Sequence, residues 1–255
     1  MTGSSPPSPK PPSGGAASPT ITNALHLHLH CEYKEVVRIV HARSQPSPAP
    51  GPLPFGELLQ LGVNVLVHER GLPSAVEAAL DAEAGGGTFE HGATLDATEP
   101  QLDALLEPIE DSVARRFLAQ DIDILTRSYG ALLGRRHVHA QLSVVAHDAC
   151  RKLHVDQVTV RLLCTYAGPG TQWVHDDDVV RSNLARVDVN IDEANRSVLR
   201  HPNALRQCAP GDVILLKGES FANNRGLGAV HRSPPIVDRG LRRLVFKIDE
   251  SPCGC

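Results

Sequence analysis

His154 and Asp156 stand two apart, as His-x-Asp, inside the run Cys150-Arg151-Lys152-Leu153-His154-Val155-Asp156-Gln157-Val158-Thr159-Val160-Arg161-Leu162-Leu163-Cys164-Thr165-Tyr166. On an extended chain alternate side chains share a face, so the imidazole and the carboxylate project side by side. An apolar interior accepts a carboxylate only when it is paired or bound to a metal. With a third donor the two can grip one divalent ion, and the candidate is His231, which is followed by Arg232-Ser233-Pro234-Pro235. Two imidazoles and one carboxylate hold iron(II) on one face and leave positions open; zinc takes the same ligands with a water.

These residues need strands to position them. Val158, Val160, Leu162 and Cys164 alternate behind the motif, which predicts one continuous strand with His154 and Asp156 on its inward face. Gly168-Pro169-Gly170-Thr171 predicts a tight turn, and Pro210-Gly211-Asp212 a second one before the apolar run Val213 to Leu216. Residues 218–228 read as a loop leading to His231. The last strand is Leu241 to Asp249, where Leu244, Phe246 and Ile248 share their parity with Arg242. Arg242 therefore reads as the inward arginine, with Arg243 on the opposite face beside Val245, Lys247 and Asp249. A buried guanidinium requires an anion; a carboxylate ligand is one candidate, and Asp212 or Glu219 of the chain is the other. Tyr166 and Lys217 can line the same pocket, against a packed-core Tyr166 and a surface Lys217. His175 with Asp176, Asp177 and Asp178 reads as a solvated acidic loop.

The first half has a different period. Residues 1–22, rich in Pro, Ser and Gly, form an expected disordered tail. Residues 23–136 read as a largely helical part with a few strands, 137–250 as the β core carrying the triad, and 251–255 as a tail. Leu25 to Cys31 alternates His26, His28 and His30 against Leu27 and Leu29, a strand with three imidazoles on one side. Residues 45–54 are a Pro-rich linker, and Val63 to Val67 a buried strand. Ala75 to Ala84 reads as a helix ended by Gly85-Gly86-Gly87. Thr98 and Gln101 match a capping box, and Pro108 should break the helix behind it. A second helix, about 110–133, ends at Gly134. From His137 the period becomes two, with Val138, Ala140, Leu142 and Val144 inward.

Composition narrows the classes. A net charge of −4 over 255 residues does not support a nucleic-acid surface, and no nucleic-acid partner is expected. No apolar run reaches the length of a membrane span, and no apolar signal core follows Met1, so a cytoplasmic place is expected. The six cysteines form no Cys-x-x-Cys pair, which argues against a zinc ribbon; Cys150 and Cys164 read as reduced thiols, and Cys253 and Cys255 belong to the tail.

Taken together, the His-x-Asp strand, the Gly211-Asp212 turn before an apolar strand, His231 and the arginine beyond it resemble the iron(II)/2-oxoglutarate oxygenases of double-stranded β-helix, or cupin-like, fold. More closely, the chain resembles a bacterial family of unknown function, DUF1826, over about residues 60–250. Cys150 to Asp156, Arg161 to Tyr166, Gly168 to Thr171, Gly211-Asp212-Val213, Lys217-Gly218-Glu219 and His231 to Pro235 carry that resemblance. It implies an α+β fold: a C-terminal double-stranded β-helix of jelly-roll type with the N-terminal helices packed on it. It also implies His154, Asp156 and His231 as catalytic metal ligands for Fe(II), and 2-oxoglutarate held by Arg242 or Arg243, with Tyr166 and Lys217 nearby. The substrate, small molecule or protein, stays open. So do a zinc-dependent hydrolase using the same triad and a non-catalytic metal-binding module.

Overall fold

The computed structural model describes residues 53–250. The tail 1–22, the His26/His28/His30 run, most of the Pro-rich linker, Cys253 and Cys255 lie outside the described residues.

β1 (Val65–His68) is buried along its length, as the apolar run predicts. α1 (Ser74–Gly86) follows Pro73, and β2 (Phe89–Asp96) follows α1. α2 (Asp103–Leu106) is a single turn, shorter than the helix expected from Thr98. The capping box does not form because Asp96 captures Thr98: its Oδ1 accepts from the Thr98 backbone N–H at 2.8 Å and the hydroxyl at 2.6 Å. Pro100 also disfavours helical backbone at Glu99. α3 (Ser112–Leu133) is the long helix. Asp111 caps it by accepting from the N–H groups of Val113 and Ala114, and Gly134 closes it at φ 61°. Its buried stripe is Ala114, Leu118, Ile122, Leu125 and Tyr129, while Val113 is 42 % exposed. Full burial of each large side chain contributes about 1.5–3 kcal/mol.

The strands follow: β3 (His137–Val145), β4 (Val160–Ala167) and β5 (Gln172–Val174). α4 (Ile191–Val198) then precedes β6 (Leu205–Gln207), β7 (Val213–Lys217), β8 (His231–Arg232) and β9 (Arg243–Glu250). Six strands make a main sheet in the order β1-β7-β4-β9-β3-β2, and three make a small one, β6-β5-β8. Every pairing is antiparallel. The two edge strands β1 and β2 come from the N-terminal part, so helices and sheet form one unit. His154 extends the small sheet through a reciprocal bridge to His231, each backbone N–H donating to the other's carbonyl at 3.0 Å. From β3 onward the chain visits main sheet, His154 bridge, β4, β5, β6, β7, β8 and β9, passing between the two sheets as a double-stranded β-helix does.

Both faces of the main sheet are apolar. Towards the helices lie Val160, Leu162, Cys164, Val213, Leu215, Leu244, Phe246 and Ile248, with the inward residues of β3. Towards the small sheet lie Val65, Val67, Ile214, Leu216 and Leu163, packed against Trp173, Cys208 and Ala229. The outer side of the small sheet is covered by residues 175–204, including α4, which sequence periodicity did not reveal. Asn190 caps α4 by accepting from the Glu193 N–H. Cys150, Cys164 and Cys208 are free thiols, and no described helix is long and apolar enough to cross a membrane.

The continuous strand expected over 150–166 is interrupted. His154 belongs to the small sheet and Val160 to the main one, so residues 155–159 must cross between them and cannot pair regularly with either. The crossing is held by backbone bonds from Glu219 N–H to the Asp156 carbonyl at 2.9 Å and from Gly218 N–H to the Thr159 carbonyl at 3.0 Å. Gly218 permits this approach: a Cβ there would lie 2.0 Å from the Val158 carbonyl oxygen.

Candidate metal centre

The crossing delivers Asp156 to the bridge between His154 and His231. One ligand atom from each residue lies within 4.8 Å of the others, and among the described residues no other grouping of three converges in this way. Asp156 Oδ1 is 3.5 Å from His154 Nε2, and Oδ2 is 3.1 Å from His231 Nε2. The two rings sit 4.5 Å apart between centroids. His231 and Asp156 have side chains 5 % and 12 % exposed, whereas His154 opens towards solvent at 29 %.

Each imidazole is oriented by its other nitrogen. His154 Nδ1 lies 2.8 Å from the Lys152 carbonyl and His231 Nδ1 lies 3.0 Å from the Ala229 carbonyl. A carbonyl only accepts, so Nδ1 carries a hydrogen in both rings and each Nε2 faces the site, donating to Asp156 when it is protonated and offering its lone pair to an ion when it is not. Burial acts to raise the Asp156 carboxyl, but hydrogen bonds from His154 and His231 and the Arg161 charge hold it well below the usual carboxylate range. Burial acts to lower His154; its bonds to Asp156 and the Lys152 carbonyl outweigh this and raise it. The donor set is thus two nitrogens and one carboxylate oxygen, ionised and aimed, and it fits a divalent ion with open positions.

Of the four residues expected to bind a co-substrate, three face the helices. Arg242 is exposed, and its Nη1 donates to the Gly85 carbonyl at 2.8 Å. It precedes β9 on the parity of Leu244 and Phe246, and that parity leads to the helix-packed face. Tyr166 is fully buried there, its hydroxyl donating to Asp121 Oδ2 at 2.5 Å, so the packed-core alternative is the one realised. Lys217 is buried rather than at the surface, donating to the Gln60 carbonyl at 2.9 Å with its ammonium 4.5 Å from the Phe221 ring centroid.

Arg243 is the inward arginine. It is 4 % exposed and lies on the face of β9 that looks towards the small sheet. Its Nε donates to the Pro169 carbonyl at 2.7 Å and its Nη2 to Thr165 Oγ1 at 3.1 Å. Both acceptors are neutral, and no carboxylate among the described residues pairs with it. Burial pulls the guanidinium down to about 10, still charged at neutral pH. The turn at Gly168 (φ 76°) makes the Pro169 contact possible, since a Cβ at Gly168 would lie 2.1 Å from the Arg242 carbonyl oxygen.

Two further residues escaped the sequence reading. Arg161 Nη1 donates to Asp156 Oδ2 at 2.7 Å, while its Nε and Nη2 fork onto Asp249 at 2.7 and 2.8 Å. The available signal was a charged residue inside an apolar strand, on the parity of Leu163 and Thr165. His175 and the acidic run after it stay apart from the centre. Asp176 is not solvated as expected but is drawn in by Asn64 and Arg181.

Similar solved structures include the dioxygenase for auxin oxidation 1 from Arabidopsis thaliana in binary complex with 2-oxoglutarate. It is 9 % identical, with 75 % of this chain and 85 % of that one covered and a TM-score of 0.41. A Pseudomonas putida prolyl-4-hydroxylase is 13 % identical over 75 % and 94 % of the two chains, with a TM-score of 0.36. A bsmA homologue from Methylobium petroleophilum PM1 is 12 % identical over 74 % and 91 %, with a TM-score of 0.38. A search of curated protein sequences finds no match. The family model described as protein of unknown function DUF1826 matches residues 51–249, a span that contains both sheets, the three ligands and Arg243, and the chain belongs to that family.

Proposed function

We propose that the chain is an iron(II)/2-oxoglutarate-dependent oxygenase. The observation that carries this reading is Arg243, a buried guanidinium with neutral partners only, on the same face of the main sheet as Arg161 and the triad. Burying such a charge without an anion costs several kcal/mol, and a dicarboxylate supplies the anion when bound. A non-catalytic metal module or a zinc hydrolase has no need of that second subsite.

In this reading His154, Asp156 and His231 hold the metal through Nε2, one carboxylate oxygen and Nε2. Arg243 and the Thr165 hydroxyl would receive the far carboxylate of 2-oxoglutarate. Thr165 lies four residues from Arg161 along β4 and on the same face of the strand, so Arg243 and the triad address one side of the main sheet. Leu163, Ile214 and Trp173 form part of the apolar cluster on that side of the sheet. The bound metal and co-substrate supply the oxidation, in which oxygen is consumed, 2-oxoglutarate becomes succinate and carbon dioxide, and one oxygen atom reaches the substrate.

Calorimetry of anaerobic protein loaded with Fe(II) or Mn(II) tests the reading. It should show one 2-oxoglutarate site per chain, with succinate competing. Arg243→Ala should weaken that site by roughly 30- to 5,000-fold, the range for removing one partner of a buried charge pair at about 2–5 kcal/mol, and leave metal binding intact. Absence of any 2-oxoglutarate site in metal-loaded parent protein would overturn it.

A further inference from the structure

We propose that Arg161 and Asp249 are a positioning pair for the metal centre: together they leave Asp156 a single oxygen for the ion and keep the centre negatively charged. This rests on the metal reading above and goes beyond the ligands themselves.

Three observations lead to it. First, the Arg161 fork is committed on both sides. Asp249 takes Nε and Nη2 with its two oxygens, which fixes the guanidinium plane, and Nη1 is left pointing at Asp156 Oδ2. Swinging Asp156 to offer both oxygens to a metal would break that bond. Oδ1, whose near neighbour is His154 Nε2 at 3.5 Å, is therefore the ligating oxygen.

Second, the charges add up only with both residues present. Arg161 alone would cancel the Asp156 carboxylate and leave a neutral site for a divalent cation. Asp249 restores one negative charge to the trio. Lys247 also pairs with Asp249 Oδ2 at 3.8 Å, but from a partly exposed position where solvent screens its charge. Third, β4 and β9 have no need of the pair as a staple. Their ladder already runs through Leu162↔Ile248, Leu163↔Lys247 and Cys164↔Phe246. Beyond it, Glu250 ties Thr159 and Arg135 at the strand end. An arginine and an aspartate on the inner face do something the ladder does not.

The test compares Asp249→Asn and Arg161→Lys with Glu250→Gln as a control on the same strand. For each full-length protein, Co(II) affinity, the visible spectrum of bound Co(II) and the melting temperature of the metal-free form are measured. Asp249→Asn should bind Co(II) about 10- to 100-fold more weakly, the usual range for losing an outer partner of a ligand, and should shift the spectrum because the coordination changes. Arg161→Lys keeps the charge but loses the fork, so its spectrum should shift as well; it decides the matter if Asp249→Asn does not fold. Glu250→Gln should alter neither. A merely structural pair would lower the melting temperature while leaving affinity and spectrum unmoved, and that result overturns the proposal. Parent protein that takes up no Co(II) overturns the metal centre itself, and with it the positioning pair.

Discussion

The two faces of the main sheet are made by the same alternating strands, and both carry buried charge, but they complete it differently. Towards the helices the chain supplies the partners. Arg70 forks onto Asp121 at 2.5 and 2.6 Å, and Tyr166 donates to the same carboxylate. Towards the small sheet the bonding is unfinished. Arg243 has neutral acceptors only, and two imidazole Nε2 atoms converge with one carboxylate. A buried charge completed by the chain belongs to the scaffold. One left incomplete is where the proposed metal and dicarboxylate would bind.

Replacing groups on each face in turn is the direct way to break this comparison. The largest expected effect is His154→Ala with Asp156→Ala, which should abolish stoichiometric Fe(II) or Mn(II) uptake by elemental analysis while the metal-free circular dichroism stays that of the parent. Metal retained at one equivalent would place the ion elsewhere. On the helix face, Asp121→Ala should do the reverse. It strands Arg70 and Tyr166 and should cost about 3–5 kcal/mol in denaturant unfolding, with metal affinity per folded molecule unchanged. An Asp121→Ala protein as stable as the parent would mean that the helix face is not completed as described.

The adjacent arginines sharpen the contrast at one strand end. Arg242→Ala, which removes an exposed bond to the Gly85 carbonyl, should leave 2-oxoglutarate affinity within about twofold, as surface changes generally do. The loss should belong to Arg243→Ala alone; equal losses in both would erase the distinction between the faces.

The smallest effect is a pH dependence on the helix face. Burial lowers the Lys217 ammonium below its ordinary 10.5. The unfolded chain therefore binds more protons in the window just below 10.5, and stability gains with rising pH there. Melting temperatures of the parent relative to Lys217→Met should rise from pH 8 towards 10.5. A flat difference would show that Lys217 is not desolvated.

The same contrast explains what the sequence disclosed. His154 and Asp156 were legible because their residue types and two-residue spacing are local; His231 joins them only through the bridge to His154. Which face they occupied was not legible. Parity states which residues share a face but not which side of the sheet that face turns to, and here both sides are apolar. Val160, Leu162 and Cys164 were extrapolated back to His154 across residues 155–159, where the strand is broken by the crossing between sheets. At the other end β9 begins at Arg243, and a one-residue difference in side is enough to exchange Arg242 for Arg243. α1 and α3 were found with close limits because their glycine stops are local too, whereas the helix expected from Thr98 shrank to one turn once Asp96 captured that cap. Asp249 and Arg161 meet only through the β4–β9 pairing, and nothing in a linear reading joins them.

The reciprocal bridge between His154 and His231 has a kinetic meaning. Two main-chain hydrogen bonds set the separation of the imidazoles, and two carbonyls set the angle of their rings, so the spacing is in place before any ion arrives. Uptake of an ion would then have no conformational step to wait for. Its speed would be that of encounter and of the ion shedding its own water.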